Sequence, residues 1–318
     1  MPEWLIERGA GEARFALVDE GRIVEARVEL DGGIAPGSVI AARLTEVGAG
    51  GRNAVARGAN GAEYLLPRGA PGYAEGVPLN IEITRAALPG TEPWKRPLAR
   101  VTDAGVEAAP PLRGRHLPFP APRDELAEAG WDDLIDEART GIVRFAGGEL
   151  RVSATPAMTL IDVDGYLAPE ELAVVGALAA AQAIRRLDIG GSVGIDLPTA
   201  GSKSARQAAA AAIDEHLPQP FERTAVNGFG FIQIVRPRRR ASLNELAQDR
   251  AAFEARVLLR HAALDGAGAR RLVAHPAVIA ILQTRHEWLD RLARQVGGAV
   301  TLRADPKLSI SGGYAENV

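Results

Sequence analysis

The sequence contains no cysteine and little lysine, and both shortages restrict its chemistry. Without cysteine the chain forms no disulfide, no thiolate zinc site and no cysteine nucleophile. Positive charge comes almost wholly from arginine, because only Lys95, Lys203 and Lys307 among the 37 Lys+Arg residues are lysines. The formal net charge of -3 gives no overall attraction to nucleic acid, so any such binding has to use local clusters of basic side chains.

Long apolar runs and ordered histidine patterns are also missing. Acids occur early and no apolar run could cross a bilayer, so we expect no secretory signal, no membrane span and a cytoplasmic location. The five histidines are scattered, without a His-x-x-x-His spacing. The glycine pairs at 50–51 and 190–191 lack the fixed spacing of a Walker or dinucleotide-binding loop. With 318 residues, the chain can form two or three domains that each bury a core.

What the sequence does contain is a strand–helix–strand pattern around two acids. Residues 157–165 and 191–198 are short apolar runs, and each has an aspartate where the run ends. The segment between them has a proline at a first-turn position, apolar residues at helical spacing and a Gly-Gly pair at its end. Such a crossover unit places its two strands parallel in one sheet, so we expect Asp162 and Asp196 at the same edge.

These acids predict a metal site. Asp164, two residues after Asp162, points to the same side if the strand continues that far. Converging carboxylates repel one another unless a cation lies between them. Mg²⁺ takes oxygen ligands and often binds through one or two carboxylates plus substrate phosphates, and Mn²⁺ suits the same ligands. The alternative is that the acids cap helices or are solvated turn residues.

Three motifs around the acids follow one another along the chain. Residues 155–164 form an apolar strand that ends in Ile-Asp-Val-Asp, and residues 190–197 form a Gly-Gly turn before a strand that ends in Ile-Asp-Leu. Residues 228–238 run Phe-Gly, apolar residues, then Arg-Pro-Arg. In order and spacing they resemble the two catalytic motifs and the following strand of the ribonuclease E/G family, which read Ile-Asp-Val-Asn, Ile-Asp-Phe and Arg-x-Arg. Three motifs in order are far more specific than any one of them.

The resemblance implies a multidomain fold of α/β and β type. The expected parts are an N-terminal hairpin on the nuclease core (1–36), an inserted OB-type RNA-binding β-barrel (37–100), a Pro-rich connector (101–125), a mixed α/β catalytic nuclease domain with the parallel βαβ unit (126–241), and a helix with a small α/β C-terminal domain (242–318). Short strands with Gly-rich breaks and five prolines between 110 and 122 fit the barrel and the connector.

Periodicity predicts the remaining elements. We expect strands at 3–7, 13–19, 22–30 and 225–235, and helices at 124–139, 203–217, 242–263 and 276–296. In the strand at 22–30, alternation predicts Ile23, Glu25, Arg27 and Glu29 on one face and Val24, Ala26 and Val28 on the other.

The same resemblance implies that the chain is a metal-dependent endoribonuclease that acts in RNA processing. It would hydrolyse single-stranded RNA to 5′-phosphate and 3′-hydroxyl products. Asp162 and Asp196 would hold Mg²⁺, or Mn²⁺, and Asp164 would orient a ligand or a bound water, so all three are predicted catalytic residues. The family has Asn in place of Asp164. The extra negative charge should tighten metal binding but repel the incoming phosphate.

RNA binding is expected to involve the barrel. OB-type barrels stack bases on aromatic rings, but Val55 and Leu65 stand where aromatics are expected, which leaves Tyr64 and Trp94 to stack. Binding would then depend on basic residues, for which the alternative is a solvated face. These residues are Arg52, Arg57, Arg85, Lys95 and Arg96.

A second basic cluster follows the third motif. Four arginines lie within five residues, at Arg236, Arg238, Arg239 and Arg240. They come directly after a core strand, so we expect them beside the acids, where an arginine fork matches phosphate geometry. The alternative is a surface charge run paired with acids. Arg223 lies where the family has a basic residue, and we include it among the predicted RNA contacts.

Two family features are absent from the sequence. No segment near the connector is long enough to be the domain that senses the 5′ end of RNA. A predicted helix from Ser242 also stands where family members have the Cys-x-x-Cys segment through which two subunits share a zinc ion. We therefore expect no zinc link, and a homodimer would have to form without a shared zinc.

Two other functions fit the same residues. A regulator or scaffold that binds RNA without cutting it would explain the altered barrel aromatics, the missing sensor and the acid at Asp164. A phosphoesterase that acts on another nucleic acid or nucleotide would use the same acids. The 2′-hydroxyl is the feature through which a site tells RNA from DNA.

Overall fold

The computed structural model describes residues 1–90 and 92–318, without the side chain of Pro93. The chain divides into two units. One, which we call the sheet unit, comprises Met1–Asp31, Gly114–Arg236 and Ser242–Val318. The other, the barrel unit, comprises Gly32–Arg113 and Pro237–Ala241.

The helices and strands follow one another in chain order. The strands are β1 (Glu3–Arg8), β2 (Glu12–Asp19), β3 (Arg22–Leu30), β4 (Val39–Glu46), β5 (Ala54–Gly58), β6 (Glu63–Leu66), β7 (Pro78–Arg85), β8 (Leu98–Thr102), β9 (Arg115–His116), β10 (Ile142–Phe145), β11 (Gly148–Ala154), β12 (Thr159–Gly165), β13 (Gly191–Asp196), β14 (Glu222–Arg223), β15 (Phe231–Arg236), β16 (Arg270–Ala274), β17 (Val300–Ala304) and β18 (Tyr314–Asn317). The α-helices are α1 (Glu125–Glu128), α2 (Trp131–Thr140), α3 (Pro169–Arg186), α4 (Lys203–His216), α5 (Leu243–Leu246), α6 (Arg250–Leu264), α7 (Pro276–Gln283) and α8 (His286–Val296). Two 3₁₀ turns lie at Ala49–Gly51 and Pro93–Lys95.

The first three strands form an antiparallel meander, as predicted, in a sheet of order β3-β2-β1-β9. The predicted alternation in β3 is wrong at its start. The register shifts between Leu17 and Val18, so Val24 is the extra residue of a β-bulge and has no ladder partner on β2. Because an extra residue reverses the alternation, Ile23 is buried on the same side as Ala26 and Val28.

The barrel unit contains a closed five-stranded barrel, compatible with an OB-type fold. Its strand order is β4-β5-β6-β8-β7, with β7 pairing back on β4. Inward side chains alternate with outward ones along each strand. Leu44, Leu66, Ile81 and Ile83 are fully buried in the barrel core. Each such side chain contributes about 1.5–3 kcal/mol of burial free energy.

A six-stranded sheet forms the centre of the sheet unit. Its order is β10-β11-β12-β13-β15-β14. β12 and β13 are parallel and joined by α3, which confirms the predicted crossover unit. The other neighbours are antiparallel. One face is buried under helix α3, whereas side chains on the other face, such as Leu160 and Asp162, are exposed.

The last part of the chain packs three helices on a three-stranded sheet of order β17-β16-β18. Helices α6, α7 and α8 cover it and share one apolar core. Leu258, Leu272, Val278, Leu282 and Leu292 are nearly or fully buried there.

Three predicted helices are each broken in two, which corrects the sequence prediction. Gly130 has a φ of +97° between α1 and α2. The predicted capping box at Ser242 is present, but it starts only the short α5, and Asp249 caps a new helix, α6. The third break separates α7 from α8 at Thr284 and Arg285. Apolar periodicity continues through such breaks, because the pieces still face one core.

Within the described parts of the chain, no helix combines the length and the apolar character needed to cross a membrane.

Candidate functional site

The acids stand on the crossover unit, which local packing holds in place. On β12, Ile161 and Val163 are buried and alternate with exposed residues. Helix α3 crosses this buried face at Gly176, where any side chain would overlap Val163. On β13, Val193 and Ile195 are fully buried. The strands that carry the acids are therefore fixed from the covered side of the sheet.

The register brings the two predicted ligands side by side. Asp162 of β12 and Asp196 of β13 are direct partners in the parallel ladder. Neighbouring strands lie about 4.8 Å apart. Asp164 alternates with buried Val163, so it lies on the same exposed face as Asp162. The structure thus places all three predicted catalytic carboxylates on one exposed face, at the carboxyl ends of β12 and β13.

The electrostatics of Asp162 reflect this crowding. Partial desolvation raises the pKa of its carboxyl, and the negative charges of Asp164 and Asp196 raise the pKa further. A backbone hydrogen bond from Val163 and the charge of Arg151 oppose the rise. Since the net direction is upward, repulsion and desolvation outweigh the local compensation.

Arg151 is the positive side chain beside the acids. It lies opposite Asp162 in the β11–β12 register. Its Nε lies 3.5 Å from Asp164 Oδ2, and its Nη2 donates to Glu149 Oε1 at 2.9 Å. Its side chain is 59% exposed and shared between two acids, so its compensation is weak.

The donor set fits a hard divalent cation that keeps water and substrate ligands. No cluster of three or more His, Cys, Asp or Glu side chains with metal-binding geometry occurs in residues 1–90 and 92–318. Two adjacent carboxylates match the way in which Mg²⁺ usually binds, through one or two carboxylates and substrate phosphates. Desolvation and then the charges of Asp164 and Asp196 raise the pKa of Asp162, and a cation bound there would offset both effects.

The sequence did not indicate what lies beside the acids on the open face. Phe231 is the ladder partner of Asp196, and its ring lies over Gly194. Leu160 approaches the same glycine, which leaves no room for a side chain there. The alternation of β13 already places Gly194 on the face of Asp196, but only the pairing of β13 with β15 reveals the aromatic neighbour.

Arg236 is not beside the acids, contrary to the prediction. β15 runs antiparallel to β13, so Arg236 pairs with Gly191 while Asp196 pairs with Phe231. Arg236 is therefore five residues along β15 from Phe231, the partner of Asp196, which corresponds to about 17 Å. Its Nη1 donates to the carbonyls of Ile184 and Ile189, and burial lowers its pKa. Arg236 therefore anchors the far end of the sheet.

The rest of that arginine cluster belongs to the barrel unit. Pro237–Ala241 is a return segment whose Arg239 carbonyl accepts a hydrogen bond from the Ala86 amide at 2.8 Å. Burial lowers the pKa of Arg238.

Arg85 donates to the carbonyls of Trp94 and Arg96, each at 2.8 Å. Burial, followed by the charge of Arg238, lowers the pKa of Arg85 to about 10. Arg239 is exposed, whereas Arg85 and Arg238 are partly buried.

Tyr64 does not stack on the barrel surface as predicted. Its ring is 2% exposed and belongs to the barrel core, because β6 turns Tyr64 and Leu66 inward. Its hydroxyl accepts a hydrogen bond from Asn60 Nδ2 at 3.3 Å. Trp94, which is 65% exposed, is the barrel aromatic left to contact a base.

Four of the other predicted RNA contacts form surface ion pairs. Arg57 and Arg96 both pair with Glu63 at 2.8 Å, and Lys95 pairs with Glu92 at 3.3 Å. Arg223 pairs with Asp214, whose hydrogen bond raises the pKa of the guanidinium. Arg52 is exposed. Exposed pairs of this kind contribute only about 0–1 kcal/mol each, so a phosphate can replace the carboxylate at little cost.

Comparison of the chain with protein-family models gave no match, and comparison with curated proteins gave none. The ribonuclease E/G resemblance therefore stays a prediction that depends on the three motifs.

Proposed function

We propose that the protein is a metal-dependent endoribonuclease that hydrolyses single-stranded RNA. One observation carries the proposal. Asp162, Asp164 and Asp196 lie on one exposed face at the carboxyl ends of two adjacent parallel strands, and Asp162 and Asp196 are direct partners in the ladder. A group of exposed acids at the carboxyl ends of parallel strands is typical of a functional site rather than a stabilising one.

Each acid has a separate part in the proposed chemistry. Asp162 and Asp196 would hold Mg²⁺, or Mn²⁺, and Asp164 would orient a ligand or a water beside them. The cation supplies Lewis acidity that activates water and polarises the scissile phosphate. Attack in line would leave a 5′-phosphate on one product and a 3′-hydroxyl on the other. Arg151, next to Asp164, is placed to approach a phosphate oxygen once the cation neutralises the acids.

The barrel supports the RNA-binding part of the proposal. Its strand order is compatible with an OB-type barrel, a fold that holds single strands on one face. Trp94 offers a ring, and Arg57, Lys95 and Arg239 offer positive charge. The burial of Tyr64 means that charge contributes more than stacking in this barrel. A homodimer without a shared zinc stays part of the prediction.

Cleavage of a short single-stranded RNA with Mg²⁺ or EDTA tests the proposal. Asp162→Asn and Asp196→Asn should each reduce cleavage by at least about a hundredfold, because each removes a charged ligand of the cation. Glu222→Gln is the matched control, since it neutralises an exposed acid on edge strand β14 of the same sheet and should leave the rate unchanged. Undiminished cleavage by both aspartate variants would remove the proposed site.

A second candidate function is an RNA-binding regulator or scaffold that does not cut. The burial of Tyr64 and the acid at Asp164, where the family has Asn, favour it. Shorter fragments that appear only with Mg²⁺ distinguish the enzyme from this candidate. A matched DNA of the same sequence distinguishes a ribonuclease from a phosphoesterase with another substrate.

A further inference from the structure

Two aromatic side chains near the acids are unusually exposed. Tyr166 is 84% exposed and Phe229 is 82% exposed. Large aromatic side chains ordinarily bury much of their surface. Each lies just outside a strand of the sheet that carries the acids. Tyr166 comes directly after β12, and Phe229 lies two residues before β15.

The Phe229 ring is held out by an ordered loop. The side-chain Oδ1 of Asn227 accepts hydrogen bonds from the amides of Phe229 at 2.9 Å and Phe231 at 3.0 Å. Thr199 Oγ1 donates to the Phe229 carbonyl at 3.3 Å. Gly230 has a φ of +94° and its amide donates to the Asn227 carbonyl. The exposure of Phe229 therefore comes from a well-bonded turn and not from a loose one.

Tyr166 is held in a comparable way. Its amide donates to the carbonyl of Gly147 at 3.1 Å, which extends the pairing of β11 with β12 past the end of the strands. The side chain of the next residue, Leu167, packs against Gly147. The backbone on both sides of the tyrosine is fixed, while its ring stays in solvent.

The topology places the two rings on opposite sides of the acids. Going across the sheet, the order is β12, β13 and β15, so Tyr166 is at one end of this trio and Phe229 at the other. Tyr166 follows Asp162 in the chain, just past the carboxyl end of β12. Phe229 precedes Phe231, the residue of β15 that pairs with Asp196. β12 and β15 are two strand spacings apart, or about 10 Å, so the two aromatic residues lie on either side of β13 and its Asp196.

We propose that Phe229 and Tyr166 are stacking platforms for the unpaired bases on the two sides of the phosphate that lies at the acids. This proposal rests on the proposed function, and it assigns that site its requirement for single-stranded substrate. Every base has a π face, so two exposed rings bind unpaired bases of any sequence, whereas bases already stacked in a duplex are not free to use them.

The charge between the rings favours a nucleic acid over a protein partner. A protein that covered both rings would also bury the three aspartates and lose their hydration, at a high cost in free energy. A nucleotide strand instead brings a phosphate that shares a divalent cation with those same acids.

Binding in Ca²⁺ tests the platforms, because Ca²⁺ takes oxygen ligands and supplies the cation that the acids and the phosphate would share. Fragment analysis of the same samples shows whether the probe stays intact. The probe is a short single-stranded RNA with a single 2-aminopurine, whose fluorescence is quenched when it stacks on a ring. Phe229→Ala and Tyr166→Ala should each weaken binding by about 5- to 100-fold and reduce the quenching. Phe229→Trp and Tyr166→Phe keep a ring and should bind like the unchanged protein. Tyr314→Ala, which removes an exposed aromatic from the three-stranded sheet, is the control and should have no effect.

The possible results separate the proposal from its alternatives. Unchanged binding by both alanine variants, with unfolding midpoints like that of the unchanged protein, would overturn it. Phe229→Leu binding as well as phenylalanine would also overturn it, since leucine offers apolar surface without a π face. If Phe229→Ala abolishes self-association of the RNA-free protein and leaves RNA binding intact, the rings belong to a protein interface and the proposal is wrong.

Failure of the platforms and failure of the proposed enzyme look different. Ring-dependent binding without metal-dependent fragments would keep the platforms and remove the hydrolytic function. Metal-dependent fragments with ring-independent binding would keep the enzyme and remove the platforms. An abasic RNA adds a direct check, because an abasic residue next to the cleaved bond should abolish the difference between the unchanged protein and Phe229→Ala.

Discussion

Two groups of acids in the sheet unit have opposite surroundings. Glu7 and Glu12 are buried on β1 and β2 and are fully compensated by arginines. Arg14 donates to Glu7 and to Glu12, each at 2.8 Å. Arg256 donates to Glu12 at 2.8 Å and Arg260 donates to Glu7 at 3.0 Å. This buried network ties the N-terminal strands to helix α6.

The acids at 162, 164 and 196 are exposed, and the arginine beside them, Arg151, is itself exposed. Burial forces carboxylates to find fixed partners within the fold, because an unpaired buried charge is very unfavourable. Exposure leaves a group free to exchange partners, so the second group can bind and release a cation. One set of acids therefore contributes to the specificity of the fold and the other to the proposed chemistry.

The largest effect is expected for breaking the buried network. Glu7→Gln removes the buried charge that Arg14 and Arg260 share, and leaves Arg14 with Glu12 and Arg260 with Asp124. We expect a loss of about 3–5 kcal/mol in the free energy of unfolding, measured by chemical denaturation. Glu3→Gln is the matched control on the same strand, because its pair with Arg115 is exposed and should be worth about 1 kcal/mol or less. Similar losses in the two variants would contradict the contrast between buried and exposed acids.

A smaller effect of opposite sign is expected at the exposed acids. The pKa of Asp162 is raised, so the folded state holds its proton more tightly than the unfolded state does. Its contribution to the free energy of unfolding therefore declines as the pH rises from the ordinary carboxyl range through the raised pKa, and it stays low above that. In EDTA, Asp162→Asn should remove this decline and stabilise the protein at neutral pH.

Asp214 provides the comparison for that titration. The hydrogen bond with Arg223 lowers the pKa of Asp214, so its stabilising contribution is present above the ordinary carboxyl pKa and is lost as the pH falls through the lowered value. Asp214→Asn should therefore destabilise the protein at neutral pH and not in acid. Free energies of unfolding measured across the acid range for both variants check the signs, and equal signs would contradict the assignment of Asp162.

The smallest effect is expected at Asp164. Asp164→Asn restores the residue that the resembled family carries and removes one exposed charge beside the cation. Metal affinity should fall by less than about fivefold, because exposed charge interactions are worth about 1 kcal/mol or less. Cleavage at saturating Mg²⁺ should be unchanged or faster, since repulsion of the phosphate decreases. A Mg²⁺ titration of the cleavage rate measures both quantities, and slower cleavage at saturation would contradict the role given to Asp164.

The crossover unit could be predicted from the sequence because its signals are local. Apolar runs, a helix-length spacer and the acid at each strand end are all visible within about forty residues. The register that pairs Asp162 with Asp196 follows from the parallel geometry. The closed barrel was predicted in the same way, from short strands separated by glycine turns.

The errors have a common physical origin in long-range pairing. The sequence places Arg236 next to a core strand but does not say that β15 runs antiparallel, which sends Arg236 to the end away from Asp196. Tyr64 was predicted to be outside because nothing local shows which side of β6 faces the barrel core. The buried network joins Glu7 to Arg260 across 253 residues, a distance at which no local pattern operates.

The return segment has a practical consequence for anyone who wants to dissect the molecule. Because Pro237–Ala241 belongs with Gly32–Arg113, a fragment cut at 32 and 113 would lack the carbonyl of Arg239 that the Ala86 amide bonds. Transplanting the barrel into another host would require grafting that pentapeptide along with it. The barrel unit is built from two separate segments of the chain, so its boundaries cannot be given as a single stretch.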